Sequence, residues 1–154
     1  MVKVGERVST FSLPATGDKT LSLDDFKGTH VVLYFYPKDH TPGCTREGQD
    51  FRDAYDDFQK AGADILGVSR DSVRTHENFC KKQSFPFDLL SDADESLCQQ
   101  FDVIKEKNMY GRKYMGIERS TFIIDSEGVL RFEWRKVRVK GHVDEVLESV
   151  RSLA

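Results

Sequence analysis

The residues best suited to chemistry in this chain are three cysteines, Cys44, Cys80 and Cys98, with His40, His76 and Arg119 as candidate partners. Cys44 stands in the run Thr41-Pro42-Gly43-Cys44-Thr45, directly after Lys38-Asp39-His40. Thr41 suits a helix N-cap and Pro42 the first helical position, so Cys44 falls at the third position of a helix. There the free amide N–H groups of the first turn and the helix dipole favour a thiolate, the nucleophilic form of cysteine. From these residues alone two readings stay open: an activated thiol, or a small apolar side chain buried at a helix start. A dithiol Cys-x-x-Cys centre is excluded, because position 47 is Glu47.

Cys80 also has two readings. It lies beside Phe79 in a helix that begins near Ser72, either as a core cysteine or as the second thiol that an oxidised Cys44 needs. A disulfide brings its two Cα atoms within about 7 Å. A pair drawn from two separate helices therefore predicts local unfolding during turnover. Cys98, in Leu97-Cys98-x-x-Phe101, reads as ordinary packing. His40 and His76 each precede a cysteine by four residues, a spacing that on a helix shares one face and raises the question of zinc. His40 lies ahead of the predicted cap and off the helix, so no metal and no other cofactor is expected. Arg119 opens an apolar strand; directed at Cys44, its fixed charge would favour the thiolate and orient a polar substrate oxygen.

The elements that must position these groups follow from periodicity. Val31 to Tyr36 is a nearly continuous apolar run, which predicts a central strand covered on both faces. Phe51, Tyr55 and Phe58 recur at helical steps and predict a helix from Pro42 to about Ala61, stopped by Gly62. Ala63–Ser69 reads as a second strand and Val73–Gln83 as a second helix capped from Arg70-Asp71-Ser72. Phe85–Leu90 is extended, and a short helix follows from Glu95 to Phe101. Residues 105–117 read as a loop crossing to the next strand. Arg119–Asp125 is a strand, Val129–Val137 its hairpin partner, and Gly141–Leu153 an amphipathic closing helix. In the lead-in, Val8 to Leu13 suggests an extended piece broken by Pro14, Thr20–Leu23 a strand, and Asp24–Gly28 one helical turn. The alternation of strands and helices makes an α/β layer fold, and Cys44 falls where a strand hands over to a helix, the usual crevice for function.

A chain of 154 residues suffices for one well-filled domain, taken as 1–154, and is too short for two ordinary ones. The net charge of -3 offers no general attraction for nucleic acid or anionic membrane, and the basic run Arg131 to Lys140 reads as a solvated sheet edge. No nucleic-acid partner is expected. The longest apolar run is too short to cross a bilayer and the N-terminus carries no signal-peptide pattern, so no membrane partner is expected and the cytoplasm is the expected location. An odd count of three cysteines does not suit a secreted disulfide scaffold, which makes a cysteine pair here more redox-active than structural.

The run Tyr36-Pro37-Lys38-Asp39-His40-Thr41-Pro42-Gly43-Cys44-Thr45-Arg46-Glu47 resembles the active site of peroxiredoxins, closest to the peroxiredoxin Q or bacterioferritin comigratory protein subfamily. The resemblance extends through Val68–Ser72, Phe85-Pro86-Phe87, Leu90-Ser91-Asp92 and Met115 to Phe122. It implies a thioredoxin-like fold with an N-terminal extension and an inserted segment around a central mixed β-sheet. By the same resemblance Cys44 matches the peroxidatic cysteine, Pro37 and Thr41 its motif partners, and Arg119 the distant arginine. Glu47 matches a position that helps hold the helix start. The implied activity is reduction of hydrogen peroxide and organic hydroperoxides through a Cys44 sulfenic acid. Many members carry the resolving cysteine five residues after the first, but that position here is Gln49; Cys80 matches the alternative position in the following helix. The implied cycle runs through a Cys44-Cys80 disulfide, reduced by thioredoxin or a glutaredoxin-like dithiol protein, in a monomer. Two other functions compete. A thioredoxin-type disulfide oxidoreductase would exchange dithiols without consuming peroxide, and a redox-sensing or holdase-like module would consume peroxide only stoichiometrically.

Overall fold

The run His30-Val31-Val32-Leu33-Tyr34-Phe35 organises the molecule by sending successive side chains to opposite faces of one sheet. Val31, Leu33 and Phe35 enter one apolar cluster, Val32 and Tyr34 another, and all five are buried. The computed structural model describes residues 1–153. In chain order its elements are β1 (Ser12–Ala15), β2 (Lys19–Ser22), a 3₁₀ turn (Leu23–Phe26), β3 (His30–Phe35), α1 (Pro42–Lys60), β4 (Ala63–Ser69), α2 (Val73–Gln83) and β5 (Asp88–Ser91). Then follow α3 (Ser96–Gln100), β6 (Ile104–Met109), β7 (Arg112–Ile117), β8 (Ser120–Ile124), β9 (Leu130–Trp134) and α4 (His142–Arg151).

Seven strands form one sheet in the order β2-β1-β5-β4-β3-β8-β9. The pairs β3–β4 and β4–β5 are parallel, while β3–β8, β8–β9, β1–β5 and β1–β2 are antiparallel, so the sheet is mixed. One face packs on Phe51 and Phe58 of α1, Phe79 of α2 and Val143, Val146, Leu147 and Val150 of α4. The other packs on Leu97 and Cys98 of α3 with Phe101, Val103 and Ile117. This is the thioredoxin-like arrangement, a central mixed sheet flanked by helices.

Two expectations for the chain path are corrected. Residues 105–117 are not a crossing loop but the β6–β7 hairpin, in full antiparallel register from Ile104↔Ile117 to Met109↔Arg112. Its turn residues, Tyr110 and Gly111, both have positive φ (52° and 79°), the two-residue turn that matches strand twist. The hairpin forms a separate two-stranded sheet, exposed along most of its length, so it lacks the apolar alternation that betrays a half-buried strand. Pro14, in turn, does not break its strand. It pairs with Thr20 inside β1, whose contact with β5 is limited to Ala15↔Leu90. With so short a ladder on that side, the missing N–H of proline is tolerated.

Candidate active site

The chain leaves β3 at Tyr36, whose N–H donates to Val68 O, and Pro37 ends the strand in a half-buried position. His40 takes a positive φ of 64°, which turns the chain into α1. Thr41 then occupies the N-cap with extended backbone, Pro42 opens the helix, and Cys44 sits in its first turn. The Thr41 hydroxyl makes no capping bond. It donates instead to Lys38 O at 2.7 Å, so the expected side-chain cap is corrected to a tie that closes the loop on itself. In this structure the hydroxyl proton is engaged there rather than at the Cys44 sulfur.

Arg119, between β7 and β8, reaches across to the start of α1. Its Nη2 donates to Cys44 Sγ at 3.4 Å and its Nη1 to Glu47 Oε1 at 2.6 Å. The rigid guanidinium fork thus holds the thiol and the carboxylate at once. Gly43 makes the approach possible, because a Cβ there would stand 3.1 Å from Arg119 Nη2. Cys44 is 2% exposed and Glu47 fully buried, so the site is close to dry. Burial pushes the Glu47 carboxyl from 4.5 up to about 7, outweighing the opposing pull of the Arg119 charge. Its second oxygen, Oε2, has no hydrogen-bond partner, which is consistent with a carboxyl that readily takes up a proton. The arrangement aims one fixed positive charge and one donor arm at a cysteine in the first turn of a helix, while the other arm is tied to Glu47. It suits a nucleophilic sulfur and an oxygen that gains negative charge as a bond beside it breaks.

Residues 4–133 match the AhpC/TSA family. The chain belongs to that family. It is 56% identical over 148 residues to the peroxiredoxin Bcp of Xanthomonas campestris pv. campestris, covering 95% of this chain and 92% of the relative. It is 52% identical over 146 residues to a putative peroxiredoxin bcp of Coxiella burnetii, covering 95% and 97%. Among solved structures it superposes on Xanthomonas campestris peroxiredoxin Q with a TM-score of 0.88 at 56% identity, over 92% of this chain and 90% of that one. A cysteine variant of Xylella fastidiosa PrxQ gives a TM-score of 0.94 at 43% identity, over 99% and 98%.

Within this AhpC/TSA chain, Arg119 brings Cys44 and Glu47 together, and Cys80 makes no hydrogen bond to any of the three. Cys80 lies on α2, unbonded and half-buried, with Sγ 3.9 Å from Phe87 O. Burial, then the nearby carboxylates of Asp39 and Asp88, push its thiol up to about 12. Folded as it is here, Cys80 keeps its proton. Cys98 is fully buried on α3, and its N–H donates to Asp92 Oδ2 at 2.7 Å. Burial raises its thiol well above the ordinary range, as suits a packing cysteine.

Three features near the site escaped sequence reading. Lys107 of β6 has its ammonium held below the ordinary lysine range, first by burial, then by the charge of Arg119. Tyr34 of β3 is wholly buried against Phe51, with its hydroxyl unpartnered. The third is the contact of His76 with Asp39, whose Oδ2 lies 2.7 Å from the Nδ1 of the ring. Asp39, Asp71 and His76 bring possible ligand atoms within 4.8 Å of one another. Those of Asp39 and His76, however, are all engaged in hydrogen bonds within the protein, so the cluster reads as an internal network. A cleft of about 730 Å³ opens between Val8, Phe26, Val31 and Gly128, at the opposite end of β3 from Cys44.

Proposed function

We propose that Cys44 is the peroxidatic nucleophile of this thiol peroxidase and Cys80 its resolving partner. The observation that carries the reading is the Arg119 fork, which donates to Cys44 Sγ and Glu47 Oε1 from one side chain. The Cys44 thiolate attacks the terminal oxygen of a hydroperoxide; the O–O bond breaks and its electrons leave on the distal oxygen. Arg119 stabilises the charge spread over sulfur and the two oxygens. The leaving oxygen takes a proton and departs as water or alcohol, and Cys44 becomes a sulfenic acid. Pro37 shapes the loop and screens the sulfur, and Thr41, released from Lys38 O, turns its hydroxyl to the peroxide. Glu47 holds Arg119 in place.

Cys80 then attacks the sulfenic sulfur. A Cys44-Cys80 bond forms, and the sulfenic oxygen leaves as water with the Cys80 proton. Two solved Xanthomonas campestris peroxiredoxin Q structures are serine variants of cysteines spaced along their chain as Cys44 and Cys80 are here, which supports this pairing. A thioredoxin or glutaredoxin-like dithiol returns both thiols. A structure of the Xanthomonas campestris bacterioferritin comigratory protein is described in terms of alkyl peroxide reduction, and organic hydroperoxides are accordingly proposed as substrates beside hydrogen peroxide. The chain acts as a monomer in the cytoplasm, where a dithiol reductant is at hand, without nucleic-acid or membrane partners; no helix among the described residues is long and apolar enough to cross a membrane.

The test is peroxide consumption driven by a thioredoxin system. The native chain should turn over many equivalents, and Cys44→Ser none. Turnover in Cys44→Ser, or only stoichiometric loss in the native chain, contradicts the proposal.

A further inference from the structure

We infer that the buried Asp39–His76 pair is a latch that holds the Cys80 helix against the active-site loop and thereby sets the rate of disulfide formation. The inference rests on Cys80 being the resolving thiol. The pair ties together the two segments that bear the cysteines: Asp39 lies five residues before Cys44, and His76 one helical turn before Cys80. His76 Nδ1 stands 2.7 Å from Asp39 Oδ2, with both side chains fully buried. The other ring nitrogen, Nε2, is 2.9 Å from Leu90 O of β5. A carbonyl only accepts, so Nε2 donates to it, while Nδ1 faces the carboxylate of Asp39. Asp39 Oδ1 accepts from the Tyr36 hydroxyl at 2.6 Å. The loop is fastened further where Asp39 N–H donates to Asp71 Oδ2, which also accepts from Ser69 Oγ. Each polar atom of the two side chains therefore has a partner, out of reach of solvent.

Such a network is costly to open, because water does not replace its bonds until the segment has moved. The remaining polar ties between α2 and α1 are of another kind. Gln49 Nε2 donates to Gln83 Oε1, and Arg52 Nη1 to Gln83 O, both at 2.9 Å and only partly buried at the far end of α2. Bonds there exchange readily with water and resist opening little. Peroxide attack, by contrast, uses Arg119, Glu47 and Cys44 with Pro37 and Thr41 of the loop, and no side chain of these five hydrogen-bonds to the pair. Asp39 and His76 are thus positioning residues for the resolving step, acting through the placement of Cys80. A firm latch keeps Cys44 in its folded pocket long enough to meet peroxide and delays its capture by Cys80.

The test measures the two steps separately in single turnovers with one equivalent of hydrogen peroxide: sulfenic acid formation, then appearance of the Cys44-Cys80 bond by mass spectrometry of quenched samples. Asp39→Asn keeps the shape and the acceptor for Tyr36 but removes the charge; His76→Ala removes the ring. Both should speed disulfide formation by about tenfold by making local opening easier, and leave the rate of sulfenic acid formation within about threefold. Because the two residues act as one unit, the double variant should be no faster than the faster single variant. Leu130→Ala, a cavity on the other face of the sheet, serves as a control for stability loss alone and should leave disulfide formation unchanged. Unchanged or slower disulfide formation in Asp39→Asn, or equal acceleration in Leu130→Ala, overturns the latch. A native chain that forms no Cys44-Cys80 bond overturns the resolving assignment instead, and the latch with it.

Discussion

Replacing Glu47 with glutamine removes an ionisable group from the centre of the site and leaves an oxygen for Arg119 at nearly the same place. Burial raises the Glu47 carboxyl from 4.5 to about 7 even with the guanidinium beside it. Between those values the folded chain holds a proton there that the unfolded chain has released. The stability contributed by that proton is fully present below 4.5 and is lost as pH rises through about 7. At roughly 1.4 kcal/mol per pH unit, the loss across the window is about 3 kcal/mol. Glutamine has no proton to lose, so the variant escapes this penalty. Urea unfolding of both proteins from about pH 4 to about pH 8 cancels the titration they have in common. The difference between their unfolding free energies should move by about 3 kcal/mol in favour of Glu47→Gln as pH rises. Parallel curves, constant to within about 0.5 kcal/mol, would refute the claim that the carboxyl bears a burial cost that Arg119 does not cover.

Three further outcomes follow from the same geometry. Arg119→Ala should slow the reaction of Cys44 with peroxide by about 10²- to 10³-fold in stopped-flow measurements, as loss of one aimed donor does elsewhere; an unchanged rate would contradict its role. Gly48→Ala should cost about 1–3 kcal/mol of stability by urea unfolding, because the new Cβ would overlap the Phe85 ring, itself packed between Phe79 and Phe87. With its thiol held at about 12, Cys80 should be alkylated far more slowly in the folded reduced protein near pH 8 than in urea; equal rates would mean that α2 is already open.

The parts of this molecule legible in its sequence are those with a buried face. β3, α1, β4, α2 and β8 announce themselves because one strand face or helix stripe must be apolar, and Pro42 and Gly62 mark where α1 starts and stops. Cys44, Glu47 and Arg119 were legible through the motif around Cys44 and the distant arginine, and the structure brings these three into contact. The β6–β7 hairpin was not, since its exposed strands alternate nothing and only Tyr110-Gly111 hints at a turn. Nor was the Thr41 hydroxyl, whose choice between the helix amides and Lys38 O is a matter of rotamer rather than residue type. Asp39 and His76 meet across 37 positions, and no local pattern announces such a pair. His76 invited comparison with Cys80 on its own helix, whereas its partners lie on the loop after β3 and on β5.

The most direct measurement is thiol mapping after one equivalent of peroxide, in the reduced native chain and in Cys44→Ser, Cys80→Ser and Cys98→Ser. A Cys44-Cys80 bond should form in the native chain and in Cys98→Ser, no disulfide in Cys44→Ser, and in Cys80→Ser a Cys44 arrested as sulfenic acid or carried on to sulfinic acid. A Cys44-Cys98 bond, or sustained turnover without Cys80, would contradict the division of labour between the first turn of α1 and the middle of α2.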